Sequence, residues 1–297
     1  MRLQLVVNPS AGGGRATKLL PTVLTALSGH DVVVSPTSSL AHADELVAAA
    51  VADERTVVAM GGDGIVGRVA GAVAGVGGVM GVIPGGRGND FCRTVGIPLD
   101  VAGACAVLGS GSARPVDLGY ANGVAFIGIA SIGFDSEVQE RALVSRLPLG
   151  NAIYLWCSLA TVASWKTAGF TGTVDGSPFE LHGWSVAVCN SGRYGGGMQL
   201  APSASVTDGL LDVVTCSDAS KLRFLGALPK VFKGTHVDEP SFSVRTATAV
   251  HLEADRPFRV FADGDPIASL PCDVTIKPGA VQVILPDAGG VVRRRAG

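Results

Sequence analysis

The sequence predicts an α/β domain built on a parallel sheet, followed by an antiparallel, mostly β domain. Short apolar runs alternate with helical stretches up to Pro115. Three of these runs end directly in glycine-rich loops. Beyond Pro115 the helical rhythm gives way to short strands separated by turn residues.

The elements follow in order. Residues 3–7 form an apolar run stopped by Asn8-Pro9, the pattern of a buried strand ending in a turn. Ser10-Ala11-Gly12-Gly13-Gly14 follows, then a helix over 16–27 and a second strand over 32–34. Residues 41–52 read as an Ala-rich helix, with Asp44 and Glu45 expected in its first turn, where acids suit the positive helix end. A third strand, 56–60, runs straight into Gly61-Gly62-Asp63-Gly64 and a helix through Ala74. A fourth, 79–83, runs into Pro84-Gly85-Gly86-Arg87-Gly88-Asn89-Asp90 and another helical segment. The domain boundary falls at about residue 120. Beyond it, strands are expected over 124–131, 170–174, 184–190, 210–215, 249–253 and 258–262, and helices over 136–145, 151–166 and 221–233.

Composition narrows the function. The chain of 297 residues is 47% hydrophobic and 16% charged, a globular balance that suits two domains. Its net charge of −2 gives no electrostatic footprint for nucleic acid. Six scattered cysteines form no Cys-x-x-Cys pair and read as small buried hydrophobes in a reducing compartment. The apolar run before Asn8-Pro9 is too short for a signal-peptide core, so a cytoplasmic protein is expected. Residues 147–165 carry no charge between Arg146 and Lys166 and are long enough to weigh as a membrane span. Pro148, Gly150 and four polar residues favour a buried helix, with a helix lining a lipid cavity as the other reading. The Arg293-Arg294-Arg295 tail reads as a solvated end.

In an open parallel sheet, ligands bind at the carboxyl ends of the strands. Glycines let backbone N–H groups approach phosphate oxygens, and the next helix offers its positive end. Three such loops on one sheet, at Asn8–Gly14, Gly61–Gly64 and Pro84–Asp90, point to phosphate binding. No Gly-Lys-Ser/Thr follows the glycines and no G-x-G-x-x-G opens the first helix, so neither a Walker A loop nor the dinucleotide fingerprint is present.

Asn8-Pro9 with Gly12 and Gly14, then Gly61-Gly62-Asp63-Gly64, then Pro84-x-Gly86-x-Gly88-Asn89-Asp90-Phe91 resemble the diacylglycerol kinase catalytic-domain family, which includes sphingosine and ceramide kinases. The resemblance continues through Val116-Asp117-Leu118-Gly119, Ile132-Gly133-Phe134-Asp135, Tyr194-Gly195-Gly196-Gly197-Met198, Ala201-Pro202, Thr207-Asp208-Gly209-Leu210 and Asp263-Gly264-Asp265, nearly the whole chain in order. It implies an α/β nucleotide-binding domain (1–120) with a parallel sheet, a C-terminal antiparallel β-sandwich that binds lipid (121–272), and a segment over 273–297 packing back on the first domain. ATP would lie in the cleft, held by Asn8, Pro9, Gly12, Gly14, Gly61, Gly62, Asp63, Gly64, Gly86, Arg87, Gly88, Asn89 and Asp90.

Phosphoryl transfer needs positioned phosphates, a Mg²⁺ ion and a group to receive the hydroxyl proton. Asp63, Asp90 and Asp117 match family positions that form an acid–water network around Mg²⁺, and Asp208 resembles a second, structural metal position, with a plain turn between strands as the other reading. The family has Asp-Gly-Glu where this chain has Asp263-Gly264-Asp265, so the resemblance makes Asp265 the general base, one methylene shorter, and Asp263 the residue that orients the site. By itself Asp-Gly is also a common hairpin turn. Asn190, Tyr194 and the glycines beside it are expected to shape the interdomain cleft.

The family pattern Gly-Gly-Asp-Gly-Thr-x-x-Glu is broken twice, by Ile65 for Thr and Arg68 for Glu, and Arg87 replaces the usual Thr or Ser of the third loop. Ile65 removes a hydroxyl and Arg68 reverses a charge, while Arg87 could fork onto phosphate oxygens. The retained acids favour an active ATP-dependent lipid kinase; the losses favour a non-catalytic nucleotide- or lipid-binding relative. A nicotinamide-dinucleotide kinase shares the Gly61 loop but not Gly88-Asn89-Asp90 or Asp263-Gly264-Asp265. A lipid substrate implies contact with a membrane surface; the basic, apolar stretch 221–233 reads either as a packed amphipathic helix with a solvated face or as a surface for peripheral association with the membrane's inner face. The identity of the lipid and the oligomeric state, a homodimer included, stay open.

Overall fold

The computed structural model describes residues 1–145 and 152–287. The first domain opens β1 (Arg2–Val7), α1 (Arg15–Ala26), β2 (Asp31–Pro36), α2 (Leu40–Ala52), β3 (Thr56–Gly61), α3 (Asp63–Val76) and β4 (Val79–Pro84). The four strands pair in parallel in the order β2-β1-β3-β4. β1, β3 and β4 are near-continuous apolar runs because helices cover both faces, which is how parallel strands are buried, while β2 lies at the edge with no buried residue. Val47, Val69 and Val73 pack under one face, and Val23, Leu27 and Leu108 under the other. Two short helices, α4 (Asp90–Val95) and α5 (Val101–Ser110), complete the unit. One expectation fails here. The Ser39 hydroxyl caps α2 by accepting from His42 N (3.1 Å), so Asp44 and Glu45 lie beyond the first turn.

Next come β5 (Ser112–Ala121), β6 (Val124–Phe126), β7 (Ile129–Gly133), α6 (Phe134–Val144), α7 (Ala152–Ser164), β8 (Ala168–Val174), β9 (Ser177–Cys189), β10 (Leu211–Ser217) and α8 (Lys221–Val231). The chain ends in β11 (Phe242–Ala247), β12 (Ala249–Ala254), β13 (Arg259–Ala262), β14 (Asp265–Ser269) and β15 (Cys272–Leu285). These strands pair antiparallel, except where β15 runs parallel beside β4 at Gln282 and Val283. Hydrogen bonding therefore continues through 15 described strands, and β15 carries it from the sandwich back to the first domain.

The expected strand over 124–131 is two strands. At Ile127 and Gly128 the amides leave the ladder for the Asp263 carboxylate, and the chain bends there. The second domain's core is aromatic: Trp184 stacks on Phe224 at 3.9 Å, and Phe134 meets Trp165, Trp184 and Phe224 edge-on.

All six cysteines are buried and unbridged. The uncharged stretch gives α7, which is not wholly buried. Ile153, Cys157 and Val162 face the core, while Tyr154, Trp156 and Leu159 are about half exposed. Residues 147–151 of that stretch, the flanking Arg146 and the arginine tail lie outside the described residues. Among the described residues no helix is long and apolar enough to cross a membrane.

Candidate active site

The three glycine loops meet at the carboxyl ends of β1, β3 and β4. Asn8 shapes the first: its Oδ1 accepts from Ser10 N (3.1 Å) and Ser10 Oγ (2.8 Å), an Asx turn. Gly12, Gly13 and Gly14 then run left-handed (φ 60°, 70° and 86°) into α1, a path that side chains strain to follow. Asn89 shapes the third loop, accepting from Gly86 N (2.9 Å) and donating to Gly86 O (3.1 Å). Gly85 N donates to Gly61 O (2.7 Å), joining the second loop to the third.

These glycines do two different jobs. A Cβ at Gly86 would collide with Gly62 Cα, and one at Gly12 would lie 2.8 Å from Gly85 O, so Gly12 and Gly86 let loop pack on loop. Gly14, Gly196 and Gly197 have no heavy atom within 4 Å of their Cβ positions, and Gly13 only Arg87 Nη2 at 3.8 Å. The open positions lie at the mouth of α1 and on the facing loop of the second domain, where backbone amides and the helix end can meet an anion.

The acids gather on the same side. Asp63 opens α3 and its Oδ1 accepts from Phe91 N (3.0 Å). Asp90 opens α4 and its Oδ2 accepts from Gly196 N (2.8 Å), a bond from one domain to the other. A Cβ at Gly88 would lie 2.8 Å from Asp90 Oδ2 and 3.0 Å from Asp63 Oδ2, so the two carboxylates converge on that glycine. Burial and the charge of Asp90 push Asp63 up to about 6. Burial also raises Asp90, whose Oδ1 is enclosed without a hydrogen-bond partner.

Asp263 and Gly264 form the β13–β14 turn, both left-handed (φ 54° and 95°). The Asp263 oxygens accept from Ile127 N (2.9 Å) and Gly128 N (2.8 Å). Burial pushes Asp263 up to about 7, helped by the charges of Asp63 and Asp265 and opposed by those two amides. Asp265 is half-buried and burial raises it too, which makes it a stronger base at neutral pH. Its Oδ2 lies 2.5 Å from the Cβ position of Gly64, and Asp263 Oδ2 fills the Cβ position of Gly67. Gly64 and Gly67 thus form a bare helical face against which the Asp263–Asp265 turn docks.

The Asp117 and Asp208 carboxylates accept from backbone amides. Asp117 is 3% exposed, and its oxygens accept from Gly279 N (2.7 Å) and Gly209 N (2.8 Å). Asp208 Oδ1 accepts from Leu210 N (3.1 Å) within its own turn.

Sequence reasoning gave no site role to Asp135, although its motif was recognised. It opens α6 and its Oδ1 accepts from Tyr194 Oη at 3.5 Å. Burial pushes Asp135 up to about 6, opposed by hydrogen bonds from Tyr194 and Ser185, and drives the Tyr194 hydroxyl upward as well. An acid two residues after a strand-ending glycine, in Ile132-Gly133-Phe134-Asp135, was the available signal.

The pattern breaks acquire local roles. Arg68 forks onto the Asp44 carboxylate and ties α3 to α2. Ile65 is 3% exposed and its Cγ2 lies 2.5 Å from the Cβ position of Gly61, so it packs beneath the loop. Arg87 is exposed over Gly13.

Among the described residues no group of three His, Cys, Asp or Glu side chains can chelate a metal unaided. Mg²⁺ takes one or two carboxylates together with waters and substrate phosphates. Paired acids of raised pKa, one with an enclosed orphan oxygen, fit that need.

Residues 2–121 match the model of the diacylglycerol kinase catalytic domain, and residues 128–285 that of the YegS C-terminal NAD kinase beta sandwich-like domain. A diacylglycerol kinase of Mycobacterium tuberculosis is 34% identical over 298 residues, covering 97% of this chain and 96% of its own. A Pseudomonas aeruginosa protein named "Probable lipid kinase YegS-like" is 34% identical over 243 residues, covering 80% and 79%. The crystal structure of a diacylglycerol kinase from Bacillus anthracis str. Sterne shares the fold, with a TM-score of 0.74 at 24% identity over 97% of each chain.

Proposed function

Because the chain belongs to the diacylglycerol kinase family of lipid kinases, we propose that it transfers the γ-phosphoryl group of ATP to a lipid hydroxyl. The observation that carries this reading is the Asp263–Asp265 turn docked on bare Gly64 and Gly67, beside the converging acids Asp63 and Asp90. The first-domain loops hold the phosphates through backbone amides, with Arg87 added over Gly13. Asp63 and Asp90 would hold Mg²⁺, which supplies charge neutralisation on the phosphates. The lipid oxygen bonds to the γ-phosphorus, the bond to the bridging oxygen of ADP breaks, and the hydroxyl proton passes to Asp265.

Asp135 and Tyr194 offer polar contacts to the lipid head. Lys221, Arg223 and Lys233 on and after α8 are exposed, as are Leu222, Phe232 and the outer face of α7. Together they support a basic, apolar face for reversible contact with an anionic membrane surface. Lys230 is engaged by Glu239 and contributes less. The non-catalytic alternative drew on Ile65 and Arg68, and both have a packing role here.

A calorimetric titration with ATP, with and without Mg²⁺, followed by a panel of purified diacylglycerol, sphingoid base and ceramide, tests the proposal. We expect Mg²⁺-dependent binding and one phosphorylated acceptor class. Tight ATP binding with no acceptor phosphorylated would support the non-catalytic relative.

A further inference from the structure

Asn190 is fully buried at the end of β9 and touches none of the proposed reacting groups. Its Nδ2 donates to carbonyls of two separate segments, Asp117 O on β5 (2.9 Å) and Ile127 O between β6 and β7 (2.8 Å). Its own amide and that of Ser191 donate to Gly128 O (2.9 and 3.1 Å). The Ile127–Gly128 segment is therefore gripped by its carbonyls on one side. On the other side its two amides grip Asp263. Behind Asn190, the Asp117 carboxylate gathers Gly279 of the β15 bulge and Gly209 of the turn before β10.

These bonds form one continuous polar chain, buried at Asn190. It runs from the β15 bulge, where that strand leaves the sandwich for the first domain, through Asp117, Asn190 and the 127–128 segment to Asp263. Asp263 is left-handed (φ 54°), as an Asp-Gly hairpin turn requires, and its two bonds to the Ile127 and Gly128 amides anchor that turn on the 127–128 segment. Two residues on, Asp265 stands against Gly64. The short primary amide of Asn suits the link because it offers two donors to two carbonyls. An Asp there would set oxygen against oxygen, and an Ala would leave both buried carbonyls short of a partner.

We propose that Asn190 is a positioning residue: by fixing the Ile127–Gly128 amides on Asp263 it sets the place of the Asp265 carboxylate. This rests on the reading of Asp265 as the base. The effect falls on the chemical step and spares nucleotide affinity, since neither Asn190 nor the 127–128 segment bonds to the glycine loops.

The test compares Asn190→Ala, Asn190→Ser and a control, Val186→Ala, which opens a cavity at a fully buried position on the same strand. With saturating lipid, Asn190→Ala should lower kcat by about 10²-fold, the cost of a misplaced catalytic group, with KM for ATP within about twofold. Asn190→Ser, which keeps one donor, should lie between Ala and wild type. Val186→Ala should lower Tm with kcat nearly unchanged. Hydrogen exchange supplies a readout independent of turnover. Peptides covering 124–133 and 258–269 should exchange faster in the Asn190 variants, with β1 to β4 unchanged. Wild-type kcat in Asn190→Ala, or losses in proportion to Tm that the control reproduces, would overturn the proposal. So would unchanged exchange at 124–133 in either Asn190 variant. An inactive wild type whose variants still show the localised exchange would instead sink the kinase reading and leave the positioning chain standing.

Discussion

Gly64 is where one methyl group separates catalysis from folding. A Cβ there would lie 2.5 Å from Asp265 Oδ2 and 3.3 Å from Asp263 O. Alanine suits a helix better than glycine, and a side-chain carboxylate can swing aside at little cost. Gly64→Ala should therefore keep Tm within a few degrees yet lower kcat by about tenfold or more by displacing the base; melting and steady-state rates on one preparation check it. Titration gives a second expectation. Asp63 and Asp263 stand at about 6 and about 7, raised by burial above the ordinary 3.8. Their charged forms are disfavoured in the folded metal-free chain, so the stability they contribute is full in acid and is lost as pH rises through those values. The Tm advantage of Asp63→Asn over wild type should grow between about pH 4 and pH 6 without Mg²⁺ and level off above about pH 7, and a constant difference through about pH 4 to 6 would contradict the assignment. Asp63, Asp90, Asp263 and Asp265 were legible because each follows a strand in a recognisable motif. The use of Asn89 on Gly86 and of Asp117 on two distant amides was not legible. Such bonds join segments whose meeting no local pattern encodes.

The elements of the first domain were readable because apolar runs stop abruptly at Asn8-Pro9, Gly61 and Pro84. The long strands β5 and β15 were hidden by their own prolines. Pro115 looks like a break but sits within β5 opposite Gln282, and Pro278-Gly279 looks like a turn but is a bulge inside β15. Arg68 also belongs to this scale. It reverses a family charge, and only the approach of α2 to α3 reveals Asp44 as its partner. Both side chains are about one-third exposed, at 34% and 40%. Arg68→Ala should thus cost less than about 1 kcal/mol, with more lost in Arg68→Glu, which sets two acids together. Denaturant melts measure both, and an unchanged KM for ATP in Arg68→Ala is expected because the residue serves helix packing.

Across the whole molecule, β15 joins the sandwich to the parallel sheet, and the acids lie where the two domains face each other. The same view shows exposed Trp156 and Leu159 on α7, and Leu222 beside basic Lys221 and Arg223 on α8. Lys221 Nζ donates to Ala163 O (2.6 Å), which sets these two helices side by side. Replacing Trp156 and Leu222 with Ser should weaken co-sedimentation with anionic vesicles by about tenfold or more, given the apolar area withdrawn. Turnover on a monomeric short-chain lipid should be kept. The most direct test of the central claim is a labelled-ATP assay against total lipid extract, comparing wild type with Asp265→Asn. Mg²⁺-dependent transfer of the γ-phosphate to a lipid hydroxyl is expected in the wild type, with a loss of about 10²-fold or more in the variant. Near wild-type turnover in Asp265→Asn would contradict the role given to that residue, and no labelled lipid together with no Mg²⁺-dependent ATP binding would contradict the kinase reading itself.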